Sequence, residues 1–108
     1  MILVNLAETW PEVKDDQDAR KNATRSAWLG IKPEDIGKYG DTILGVYKNN
    51  VVTAYDILPD KHTYLENGRV VFEVTDSHEW EHLIGEPSPL RWVQGQQRPV
   101  QFIPTEDV

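Results

Sequence analysis

The chain is built around a hairpin. Residues 40–57 (GDTILGVYKNNVVTAYDI) place two runs of β-branched and aromatic residues on either side of Asn49-Asn50. A tight two-residue turn requires positive φ angles, which Asn tolerates better than most residues. The arms are not evenly amphipathic, so both faces of the resulting sheet are expected to be partly covered. The hairpin is therefore expected at the centre of a sheet.

The segments before it alternate strand and helix signals. Residues 2–6 read as a short apolar strand. Thr9 and Glu12 have capping-box spacing, with Pro11 in a first helical turn where its missing N–H costs nothing. A polar helix through Asp15, Asp16, Asp18 and Arg20 follows, with only Val13 and Ala19 to hold it to a core. Ala19, Ala23, Ala27 and Trp28 recur at helical spacing and predict a helix over about 19–28, stopped by Gly30. Pro33 begins a further helical turn that ends near Gly37 or Gly40.

Beyond the hairpin, residues 59–68 read as a polar loop closed by the turn dipeptide Asn67-Gly68, leading into a strand over 69–75. Asp76 or Ser77 is placed to cap one or two helical turns through His82, ended by Gly85 and Pro87. Residues 100–103 read as a last strand at an edge or closing a barrel. The expected class is α+β: a bent, mainly antiparallel sheet or pseudo-barrel with two or three short helices, which would leave few free edges.

Length sets one domain over residues 1–108, with room for a modest core. Four Trp, four Tyr and a 39% hydrophobic content belong to a folded chain. Cysteine is absent, which excludes disulfides, thiolate metal sites and a Cys nucleophile, and matches a reducing cytoplasm. The apolar N-terminal run is too short for a signal peptide or a membrane span, so a cytoplasmic protein without membrane contact is expected.

Charge is distributed unevenly. The net charge of −7 argues against indiscriminate binding to phosphate backbones. Yet Arg20, Lys21, Arg25 and Lys32 fall in a stretch without acids, as do Arg91 and Arg98 in residues 87–105. These two stretches hold six positive charges and leave −13 on the remainder. Brought together, they would form a basic face on an acidic body.

Several chemistries can be weighed. His78-Glu79-Trp80-Glu81-His82 matches the H-E-x-x-H pattern, which on a helix places two imidazoles on one face to hold zinc. Gly85 and Pro87 cut any such helix short, its surroundings are polar, and a third ligand would have to come from Glu86 or Glu106. No metal or cofactor is expected. No G-x-S-x-G elbow or phosphate-cradling glycine loop is present, and the Asp15–Asp18 carboxylates read as a solvated face.

Residues 90–99 (LRWVQGQQRP) instead combine two guanidinium groups, one indole and three amides with no carboxylate. Arg offers bidentate donors to phosphate or a guanine edge, Gln reads an amide-bearing base edge, and Trp offers a stacking platform. Residues 23–28 (ATRSAW) set Arg25 three residues before Trp28 in the same style. Each Trp taken singly reads as a core residue. The Arg and Gln residues are equally open to pairing with acids and to holding a ligand.

Thr24-Arg25-Ser26-Ala27-Trp28, the hairpin residues 44–47 and 52–57, the strand 69–72, and Ile84-Gly85 leading to Gly95-Gln96-Gln97-Arg98-Pro99-Val100 occur in this order. Over about residues 20–103 the chain resembles small, uncharacterised bacterial domains of the PUA-like superfamily, near its ASCH and EVE groups. The resemblance implies a bent pseudo-barrel and a module that binds RNA or a modified base in DNA. By position it implies Thr24, Arg25, Trp28, Arg91, Gln97 and Arg98 as pocket-rim residues. The expected function is therefore non-catalytic recognition of nucleic acid, through an unstacked base. One alternative is a protein-interaction module, with its acidic surface and Trp10 or Trp80 docking a basic partner. The other is a small metal-dependent hydrolase at His78 and His82.

Overall fold

The structure, a computed structural model, describes residues 1–96 and 98–108. Five strands form one mixed sheet: β1 (Ile2–Asn5), β2 (Thr42–Tyr47), β3 (Asn50–Tyr64), β4 (Val70–Asp76) and β5 (Val100–Phe102). Their order is β4-β3-β2-β1-β5. Three short helices, α1 (Trp10–Val13), α2 (Gln17–Arg25) and α3 (Pro33–Tyr39), lie between β1 and β2. The class is α+β, and three of the four strand pairings are antiparallel. The exception is β1, which runs parallel to β2 at the centre of the sheet. The sheet does not close into a barrel: β4 and β5 remain its two edges. No described helix is long and apolar enough to cross a membrane.

The central strands bury both faces, which is why their sequences do not alternate. Ile2, Val4, Ile43, Tyr55, Phe72 and Val100 point to one face, where Trp10, Ala23, Trp28, Ile36 and Tyr39 of the helical layer cover them. Met1, Leu3, Leu44, Val46, Val51 and Ala54 point to the other, beneath Trp80, Leu83, Leu90 and Trp92 of the C-terminal segment. Phe72 is fully enclosed, a burial worth about 2–3 kcal/mol. A radius of gyration of 12.7 Å agrees with the roughly 13 Å of a well-packed chain of this length, so the two-faced core is compact.

Local chemistry explains where the elements depart from expectation. The hairpin turn falls one residue earlier, on Lys48-Asn49, whose φ angles are 50° and 63°, while Asn50 pairs with Tyr47 in the ladder. Two successive positive φ angles are the mark of a type I′ turn, whose twist suits the flanking strands. Of the polar segment 59–68, only residues 65–68 form a turn, closed at Asn67-Gly68 as expected; residues 59–64 are strand. β3 runs on to Tyr64, interrupted by a bulge in which residues 58–61 lie opposite Glu73 alone. Pro59 cannot donate to the ladder and Asp60 sits at φ 58°, so the bulge absorbs two residues a regular strand would reject.

The Thr9–Glu12 capping box does not form, because Thr9 is itself helical and its side chain accepts no capping bond. The polar helix ends at Val13. Asp16 instead caps α2, accepting from Asp18 N at 2.9 Å and Ala19 N at 3.1 Å. α2 ends at Arg25, before the expected Trp28, because Ser26 turns extended.

α2 docks on the sheet at one close approach. A Cβ on Gly45 of β2 would overlap the Thr53 hydroxyl oxygen and lie 2.8 Å from Leu6 Cδ1. Thr24, fully buried on α2, donates its hydroxyl to Arg20 O at 2.9 Å. Its only proton is thereby used. The Thr53 hydroxyl must then be the donor in the 2.8 Å contact between the two Thr side chains.

A candidate nucleic-acid trough

The chain that leaves α2 returns at once to the sheet. Trp28 makes an isolated bridge to the outer edge of β4, donating to Val70 O at 3.0 Å and accepting from Val70 N at 2.9 Å. Its indole N–H donates to Thr24 O at 2.8 Å, satisfying a carbonyl near the helix end. Arg69, one residue before β4, donates from its guanidinium to Ala27 O at 3.1 Å. The β1 end is fixed in turn, with Asn5 N donating to Pro99 O at 2.8 Å.

These ties create a depression of about 550 Å³, walled by Trp28, Arg69, Gln96 and Arg98 and floored by Asn5, Ala7 and Thr9, with Glu8 at its side. A second depression of about 240 Å³ shares Asn5 and Ala7 with the first and is completed by Lys48, Asn49, Trp92, Val93 and Gln94. The two adjoin at Asn5 and Ala7 and are taken together as a trough, with Trp28 lining one half and Trp92 the other. Asn49, in the hairpin turn, holds the far wall through its side chain. It accepts from Trp92 N at 2.7 Å and donates to Trp92 O at 3.0 Å. The Trp92 indole N–H donates to Arg98 O at 2.7 Å, linking the second wall back to the first.

Both Trp residues are half-buried, each packing on a core cluster while lining the trough, so core and platform are not exclusive roles. Among the described residues the ion pairs within 4 Å are Met1–Asp41 and His78–Glu81, so Arg69, Arg98 and Lys48 are not neutralised by direct pairing. Three cations therefore face one carboxylate along the trough.

The sequence-selected residues divide. Trp28 and Arg98, from the two basic stretches, line the same depression. Thr24 is no rim residue: it is sealed beneath α2 against Thr53. Arg25 belongs elsewhere, because its guanidinium donates to Asn22 Oδ1 at 2.9 Å and Phe72 O at 3.1 Å, over a separate depression with Asp18, Lys21 and Glu73. Arg91 is exposed and lines neither part of the trough, while Gln97 lies outside the described residues. Arg69, Asn5, Lys48 and Gln96 were missed. Only Gln96, within the amide-rich run, carried a local signal; the others arrive through strand order and the turn.

The remaining motifs fare differently. His78 and His82 sit in a turn and a 3₁₀ turn at residues 81–83, not on an α-helix, so the i, i+4 face does not form. No group of three or more His, Cys, Asp or Glu is placed to hold a metal ion among the described residues. Trp10 and Trp80, the candidate protein-docking residues, are half-buried against the two cores.

A second polar cleft of about 280 Å³ lies between α2 and the ends of β3 and β4, lined by Arg20, Tyr55, Asp76 and His78. Burial pushes the Tyr55 phenol pKa up, the cross-strand neighbour Asp76 adds to this, and Arg20 opposes it. Comparison of the chain with protein-family models, with curated proteins and with solved structures returns no match.

Proposed function

We propose that this chain is a non-catalytic, PUA-like nucleic-acid-recognition module that holds one unstacked base of a single strand, RNA or DNA, in the trough. The observation that carries the reading is that two depressions adjoin at Asn5 and Ala7, one lined by Trp28, Arg69 and Arg98 and the other by Trp92 and Lys48. Stacking on an indole is worth about 1–3 kcal/mol per base and tolerates any sequence. Guanidinium and ammonium groups beside it would hold the flanking phosphates. The acidic remainder of the surface confines contact to this strip and disfavours sequence-blind coating of a duplex. The PUA-like placement rests on segment order: residues 24–28, the hairpin, residues 69–72, and residues 96 and 98–100 supply the trough lining or the strands beneath it.

Titration of the intrinsic Trp fluorescence with single-stranded pentanucleotides, RNA and DNA, plain and cytosine-methylated, tests the reading. Two or three phosphate contacts predict a slope of log K against log salt of about −1.4 to −2.1. Trp28→Ala or Trp92→Ala should weaken binding by roughly 5- to 150-fold. Failure of every oligonucleotide to bind at low salt would refute it.

A further inference from the structure

We propose that the base taken by the trough is guanine, with Glu8 gripping its N1–H and N2–H₂ edge and Arg69 its O6 and N7 edge, over the Trp28 indole. This rests on the nucleic-acid reading above. Glu8 is the sole carboxylate among the described residues lining either half of the trough. For a site that held phosphate alone, that charge would be a liability. For a base edge with two adjacent donors it is the matching partner, because a carboxylate accepts on two oxygens at once.

Glu8 and the two arginines share one depression, yet no ion pair within 4 Å joins them among the described residues. The carboxylate and the guanidinium groups thus line one space of about 550 Å³ without being paired to each other, which leaves each available to an edge of a bound ring. Arg69 is the better placed reader, because its bond to Ala27 O fixes the guanidinium beside Trp28 and leaves its other donors for the ligand. Arg98, exposed and near the Phe102 ring (5.7 Å), is left for a flanking phosphate.

Guanine alone satisfies both forks. It carries two neighbouring acceptors, O6 and N7, and two neighbouring donors, N1–H and N2–H₂. Adenine alternates donor and acceptor along each edge, so it would set an unpaired acceptor against the carboxylate. Cytosine offers one amino group, and thymine or uracil offers a single N–H between two carbonyls.

The test is fluorescence titration of the full chain with pentathymidylates whose central base is guanine, hypoxanthine, adenine, cytosine or thymine. The guanine probe should bind roughly 5- to 150-fold more tightly than the adenine, cytosine and thymine probes, the span expected of one good bidentate pair. Hypoxanthine, which lacks only the N2 amine, should fall between. In Glu8→Gln, an exposed position whose folding is checked by circular dichroism, the guanine-to-hypoxanthine ratio should fall to near one. Equal affinity for all five probes would overturn the guanine assignment while leaving the nucleic-acid reading in place. A guanine preference that Glu8→Gln does not alter would overturn the role of Glu8. Binding by none of the probes would remove both readings.

Discussion

The Thr24–Thr53 contact makes a sharp test of how α2 is fastened to the sheet. Both hydroxyls are buried, Thr24 at 0% and Thr53 at 4% exposure, and the proton order is fixed by the Thr24 bond to Arg20 O. Thr53→Val removes the donor but leaves Thr24 bonded to Arg20 O, a loss of about 1 kcal/mol. Thr24→Val removes two bonds and leaves the Thr53 hydroxyl buried without a partner, so it should cost about 2–3 kcal/mol. The double variant has no orphan, so its cost should be near 2 kcal/mol, below the sum of the singles by about 1–2 kcal/mol. Urea unfolding followed by Trp fluorescence reads these differences directly. With an m-value of about 1.5 kcal/mol/M, 2 kcal/mol moves the midpoint by about 1.3 M. Equal costs for the two singles, or additivity within about 0.5 kcal/mol, would refute the donor assignment.

Gly45→Ala should destabilise by about 2–3 kcal/mol in urea titrations, because its methyl would overlap the Thr53 hydroxyl and crowd Leu6. Phe72→Ala, at the centre of the helical-face core, should cost about 3–5 kcal/mol by the same assay. The raised Tyr55 pKa means the folded state favours the neutral phenol. That contribution is full below about pH 10 and is lost as pH climbs through the raised value. The urea midpoint should therefore fall above pH 10 in the native chain and fall less in Tyr55→Phe. In oligonucleotide titrations, Arg98→Gln should make the salt slope shallower by about 0.7, the share of one single-strand phosphate.

Much of the scaffold could be read from residues whose chemistry acts locally. Pro33 and Gly40 bracket α3, and the β-branched runs around the turn gave β2 and most of β3. What escaped depends on competition between neighbours. Asn49-Asn50 reads as the turn by residue type, and the placement on Lys48-Asn49 belongs to the ladder on both sides. Pro59 and Asp60 signal a break in either a loop or a bulge, and only pairing of His62 with Phe72 decides between them. The site was half legible for a related reason. Trp28 and Arg98 stand out as an indole and a guanidinium in acid-free stretches, whereas Arg69 gains its place only because Trp28 bridges to Val70. Arg25 looked equivalent to Arg98, but at the end of α2 it bonds to the β4 backbone at Phe72 O and lines a different depression.

The Trp28–Val70 bridge also bears on self-association. β4 is an outer strand, and an open row of N–H and C=O groups there would template pairing with another copy. Trp28 occupies the rung at Val70 with both of its backbone groups, so the residue that walls the trough also blocks this rung against edge-to-edge growth. Loosening residues 26–28 should therefore surface first as oligomers, and a ligand stacked on Trp28 should suppress them.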